Sequence, residues 1–125
     1  MTRIFYVAHP IKTPDRDENV RRAKRWLRWL LTQYQDLAFV MPWLAYCDVL
    51  DESPENRDRG VRDDLVTLRH CDGIVLCGGR LSAGMKTELE LVHSFGGEVI
   101  NLLHLGVEPP EHPILLGCMG CDLCL

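Results

Sequence analysis

The chain has 125 residues, enough for one domain and too few for two. With 46% hydrophobic and 26% charged residues it has the ordinary globular mix, which excludes a disordered or collagen-like chain. Fourteen Lys and Arg against eighteen Asp and Glu leave a net charge of −4, which disfavours general binding to a nucleic-acid backbone.

In chain order, Arg3 to Ala8 (RIFYVA) is a β-rich run stopped by His9-Pro10. It opens the chain without the apolar core or cleavage site of a signal peptide, so the cytosol is the expected compartment and thiols the expected state of the cysteines. Ile11 to Asp17 reads as a loop. From about Glu18 to Tyr34, Val20, Ala23, Leu27, Leu30, Leu31 and Tyr34 recur at helical spacing. Arg21, Arg22, Lys24, Arg25 and Arg28 fall between them and read as a solvated helix face. Leu37 to Met41 is a second strand, stopped by Pro42. Trp43 to Asp51 is an apolar loop or partial helix.

Ser53-Pro54-Glu55 has the pattern of a helix start, with Ser as N-cap, Pro at the first position and an acid in the first turn. That helix continues toward Arg69-His70, with Gly60 as a candidate break. Gly73 to Cys77 is a continuous apolar run, as expected of a strand buried on both faces. Gly78 to Gly84 is glycine-rich, and a helix follows to about Phe95, ended by Gly96-Gly97. Glu98 to Leu102 is a fourth strand. No run of about 18 apolar residues suggests a membrane span.

Alternating strands and helices imply right-handed βαβ units. The expected fold is a small doubly wound α/β domain over residues 1–105, Rossmann- or flavodoxin-like, with a parallel sheet of order 2-1-3-4 and helices on both faces. Residues 106–125 read as a tail rich in Pro and Cys. Such sheets bind ligands beyond the carboxyl ends of the strands, here between strands one and three. Two loops, 8–12 and 77–84, would line that crevice.

The second loop offers free backbone N–H groups and opens a helix, an arrangement that favours an anion. Ser82 adds a hydroxyl, and Glu88 follows on the first or second turn. No Gly-Lys-Ser/Thr follows the glycines, so this is not a nucleotide-triphosphate loop. Glu90, two residues on, points to another face.

Several elements recur in one order: Tyr6-Val7-Ala8-His9-Pro10 on the first strand; Asp64 on a helix and Asp72 opening a strand; then Ser82, Gly84 and Glu88. With this order and spacing the chain resembles the nucleoside 2-deoxyribosyltransferase-like superfamily from about Arg3 to Leu102. That group includes deoxyribosyltransferases and 2′-deoxynucleoside 5′-monophosphate N-hydrolases. The chain is most similar to small phage and bacterial members that share the YVAHP opening. The resemblance implies cleavage of an N-glycosidic bond, with Glu88 as nucleophile, Tyr6 orienting it and Asp64 at the leaving base. Ser82, Gly84, Lys12, His9 and Asp72 would contact substrate, though Asp72 also reads as a cap on the strand start. It implies a small deoxynucleoside or deoxynucleotide partner, no cofactor, and a homo-oligomer of two or more chains. His9-Pro10 departs from the glycine-rich turn common in the family, and Lys12 stands where the hydrolases carry arginine.

Trp43, just after Pro42, is a candidate for stacking on a base. Trp26 and Trp29 read as packing or interface residues, leaving apolar helix surface for a second subunit. Cys118, Cys121 and Cys124 have metal-ligand spacing but are one ligand short, with His112 or Cys71 as possible completions. Two other readings therefore stand beside the enzyme: a non-catalytic nucleotide-binding module, and a metal- or redox-linked protein using the cysteine tail.

Overall fold

The computed structural model describes residues 2–112. Cys118, Cys121 and Cys124 lie outside the described residues, so the metal reading of the tail has no geometry here. Four parallel strands form one sheet: β1 (Arg3–Ala8), β2 (Leu37–Val40), β3 (Gly73–Leu76) and β4 (Glu98–Asn101). Their order is β2-β1-β3-β4, as expected for a small doubly wound sheet. The helices are α1 (Arg16–Gln33), α2 (Pro42–Val49), α3 (Pro54–Arg69) and α4 (Ala83–Ser94), with a 3-10 turn at Leu103–Leu105.

The period-two alternation of β1 divides the core. Phe5 and Val7 join Val75, Trp26, Trp29 and Leu30 on the α1 side of the sheet. Tyr6 and Ala8 join Ile74, Leu76, Leu68, Met85 and Val92 on the side of α3 and α4. All four residues of β3 are buried, as a central strand covered on both faces must be. Gly73 opens β3 because a Cβ there would lie 2.3 Å from the Glu98 carbonyl oxygen and 2.7 Å from the Phe5 ring.

Several boundaries differ from the sequence reading for local reasons. The first long helix begins two residues early, because Asp15 accepts the Glu18 N–H and acts as N-cap. The segment after Pro42 is a helix, with Pro at its first position and Trp43 buried beneath it. Ser53 does cap α3, accepting the Asn56 N–H at 3.1 Å. Gly60 causes no break; α3 runs through it.

Arg21, Arg22, Lys24 and Arg25 on the basic face of α1 pair within the chain. Glu18 pairs with Arg21 at 2.9 Å and Arg25 at 3.0 Å, and Glu108 takes Arg22 at 2.8 Å and Arg25 at 2.9 Å. These pairs and two indole N–H donors, Trp26 to the Val107 carbonyl and Trp29 to the His112 carbonyl, hold residues 107–112 against α1. The described part of the expected tail thus covers the domain. The expectation that Trp26 and Trp29 leave apolar surface for a second subunit is corrected: Trp26 is fully buried and Trp29 nearly so, inside one chain.

Among the described residues, no helix is long and apolar enough to cross a membrane.

Candidate active site

The carboxyl ends of β1 and β3 open onto a cavity of about 440 Å³. Its walls come from the loop after β1, the loop after β3, the start of α4, and the facing sides of α2 and α3. Gly78 lets the two loops meet. Its φ is +99°, and a Cβ would fall 2.7 Å from both His9 and Pro10, so a side chain there is both strained and blocked.

Glu88 lines the cavity from the second turn of α4. Ser82 sets that helix by accepting the Met85 N–H at 3.3 Å as its N-cap. Behind Glu88, the fully buried Tyr6 donates its hydroxyl to Glu88 Oε2. Asp64 faces the same cavity from α3; it is 9% exposed, and its Oδ1 is buried without a hydrogen-bond partner.

Both carboxyls are held well above their ordinary range. Burial pushes Glu88 up to about 7, opposed by the Tyr6 hydrogen bond, which favours the anion. Burial also pushes Asp64 up to about 7, and there the Glu88 and Asp63 charges add to it. Near neutral pH the pair therefore favours an anion on Glu88 and a proton on Asp64. Tyr6 stays a neutral donor, its pKa raised by burial first and by the Glu88 charge next.

His9 lines the cavity wall and is 3% exposed. Its Nδ1–H donates to the Pro10 carbonyl at 2.6 Å, which leaves a lone pair on Nε2, buried and without a partner. Burial lowers its pKa to about 4, so the imidazole is neutral. Lys12, Ser82 and Gly84 also line the cavity.

Two expected site residues lie elsewhere in role or place. Asp72 is at the amino end of β3, where its carboxylate accepts the Ile4 N–H at 2.7 Å; it ties the sheet together at the end remote from the cavity. Trp43 touches the cavity but is 4% exposed, and its indole N–H donates to the Val7 carbonyl at 3.0 Å. It is a core residue, stacked near His9 with ring centres 6.5 Å apart, and offers no open face for a base.

The cavity also contains residues that sequence reasoning did not single out. Arg80 lies inside the glycine-rich segment and donates to the Thr13 carbonyl, bridging the two loops. Its place in that segment was the available signal. Tyr46, Asn56 and Arg57 come from α2 and α3. The facing of Tyr46 could not be read without α2 as a helix. Arg57 pairs with Glu52. Among the described residues, no group of three or more His, Cys, Asp or Glu could hold a metal ion.

No curated protein matches the chain. A family model described as a domain of unknown function, DUF7768, matches residues 3–101. The match spans Tyr6, Asp64, Ser82 and Glu88 and stops before the segment that covers α1. The chain therefore belongs to the DUF7768 family.

Proposed function

We propose that this protein cleaves the N-glycosidic bond of a 2′-deoxynucleoside or its 5′-monophosphate, by hydrolysis or by transfer to a second base. The single observation that carries the reading is the pair of buried carboxyls in one cavity, with Tyr6 donating to Glu88. The resemblance to the deoxyribosyltransferase-like superfamily suggests the bond, and the placement of the two carboxyls is compatible with the roles that follow.

Glu88, held by Tyr6, directs a carboxylate oxygen at C1′ of the sugar. The C–O bond forms as the C1′–N bond breaks through an oxocarbenium-like transition state, and the bond pair leaves with the base. Asp64 gives its proton to that base. Water then attacks the glycosyl ester, the ionised Asp64 takes the proton of the water, and Glu88 returns as carboxylate. In transfer, a second base replaces water. Lys12 and Arg80 stand on the two loops at the cavity. With Ser82 they suit the 5′ end of the substrate, and a 5′-phosphate in particular.

The test is release of free base, followed by chromatography, from a panel of deoxynucleosides and their monophosphates, with and without an acceptor base. Wild type releases base, and Glu88→Gln releases none above background. Absence of release by wild type from every substrate overturns the reading and leaves a nucleotide-binding module.

A further inference from the structure

We infer that Tyr46 is the surface on which the planar leaving group stacks, so that it selects a flat heteroaromatic group over other substituents of the sugar. The inference rests on the reading above for the place of the reaction; its own content is which residue receives the leaving group.

Asp64, the proton donor, fixes where that group must be. Gly60 and Asp64 are four apart on α3 and therefore share one face of the helix. Tyr46 on α2 packs against that face. A Cβ on Gly60 would lie 3.6 Å from Tyr46 Cδ2, so the ring rests on nearly bare helix backbone. At its other end the phenol donates to Asp63 Oδ2 at 2.6 Å. Asp63 is itself held by Arg62 at 3.0 Å and Arg59 at 3.6 Å. The ring is thus fixed at two points before any ligand arrives, which removes most of the ordering cost of stacking on it.

The other rings at the cavity are not available. Trp43 is buried with its N–H bonded to Val7, and His9 is buried beside it. Tyr46 is only half-buried. Cys47, Leu50, Val61 and Leu65 line the same cavity, together with the polar Asn56 and Arg57. The apolar part of that wall suits the face of a base, whereas Lys12, Arg80 and Ser82 come from the opposite set of elements, the β–α loops.

The experiment measures binding of ligand fragments, which needs no turnover. Adenine, cytosine or thymine represents the leaving group and deoxyribose 5-phosphate represents the rest. Calorimetry follows both on the full chain as wild type, Tyr46→Phe and Tyr46→Leu, with folding of each variant checked by circular dichroism. Stacking on an aromatic ring predicts that Tyr46→Leu weakens base binding about tenfold or more. It leaves deoxyribose 5-phosphate unchanged, and Tyr46→Phe keeps base binding within about threefold. In wild type the bound base protons move upfield in the NMR spectrum from the ring current, a readout that needs no variant.

Unchanged base binding in Tyr46→Leu, equal loss of both fragments, or no upfield movement overturns the inference. A protein without glycosidic activity that still shows the selective loss keeps Tyr46 as the stacking surface and refutes only the chemistry.

Discussion

Asp64→Asn removes an ionisable group from a place that disfavours charge, so it should stabilise the fold, and only at the higher pH. The carboxyl is 9% exposed, has a buried unpartnered oxygen and titrates at about 7 instead of its ordinary 3.8. Between those values the folded protein keeps the proton and the unfolded chain has lost it. Wild-type stability therefore falls as pH rises from about 4 through about 7. The full gap corresponds to about 4 kcal/mol at 1.36 kcal/mol per pH unit. The cavity admits water to this wall, so we expect about half of that, roughly 2 kcal/mol, at pH 8. Near pH 4 the difference between the two proteins should fall below about 0.5 kcal/mol. His9 has the opposite dependence, its stability contribution rising between about 4 and 6.5, but it is common to both proteins and cancels. The assay is urea unfolding of wild type and Asp64→Asn at pH 4, 6 and 8. A variant less stable than wild type at pH 8, or a difference that does not change with pH, would refute the electrostatic account of the site.

Tyr6→Phe removes the donor that favours ionised Glu88. A hydrogen bond to a charged group is worth about 1.5–3 kcal/mol, so the acid limb of the pH–rate profile should move up by about one to two units; a limb that stays in place removes Tyr6 from the mechanism. Arg80→Gln should raise KM for monophosphates about tenfold and leave unphosphorylated deoxynucleosides unaffected, as steady-state kinetics on both classes would show. Gly78→Ala combines a φ of +99° with a Cβ 2.7 Å from His9 and Pro10, and should cost about 1–3 kcal/mol in thermal unfolding together with most of the base release. Trp43→Ala should cost about 3–5 kcal/mol, because it empties a core position and orphans the Val7 carbonyl. A variant of normal stability with weakened base binding would restore Trp43 as a stacking residue.

Much of the fold is legible because its signals are local. Ser53-Pro54-Glu55 starts α3 through capping and a preset φ, and Gly73-Ile-Val-Leu is strand because it is apolar throughout and bounded by turns. The helix over Pro42–Val49 was not legible. It is short, apolar nearly all round and without a polar N-cap, so its periodicity does not distinguish it from a loop. That one gap hid Tyr46 and the α2 side of the cavity.

The candidate site divides along the same line. The glycine-rich loop opening a helix pointed to Ser82 and Glu88, and the resemblance to a known superfamily added Tyr6 and Asp64; a doubly wound sheet sends the ends of its strands and the helices that follow to one crevice. The strand order was expected from the doubly wound fold class, and the sheet has it. What only the tertiary structure decided is the state and company of those groups. A sequence does not state that the Tyr6 hydroxyl reaches Glu88 from 82 residues away, or that Asp64 is buried with an unpartnered oxygen. Nor does it place Asp72 at the far end of the sheet and Trp43 in the core. Burial and long-range contacts set pKa, tautomer and exposure, and these depend on which surfaces meet once the helices are packed.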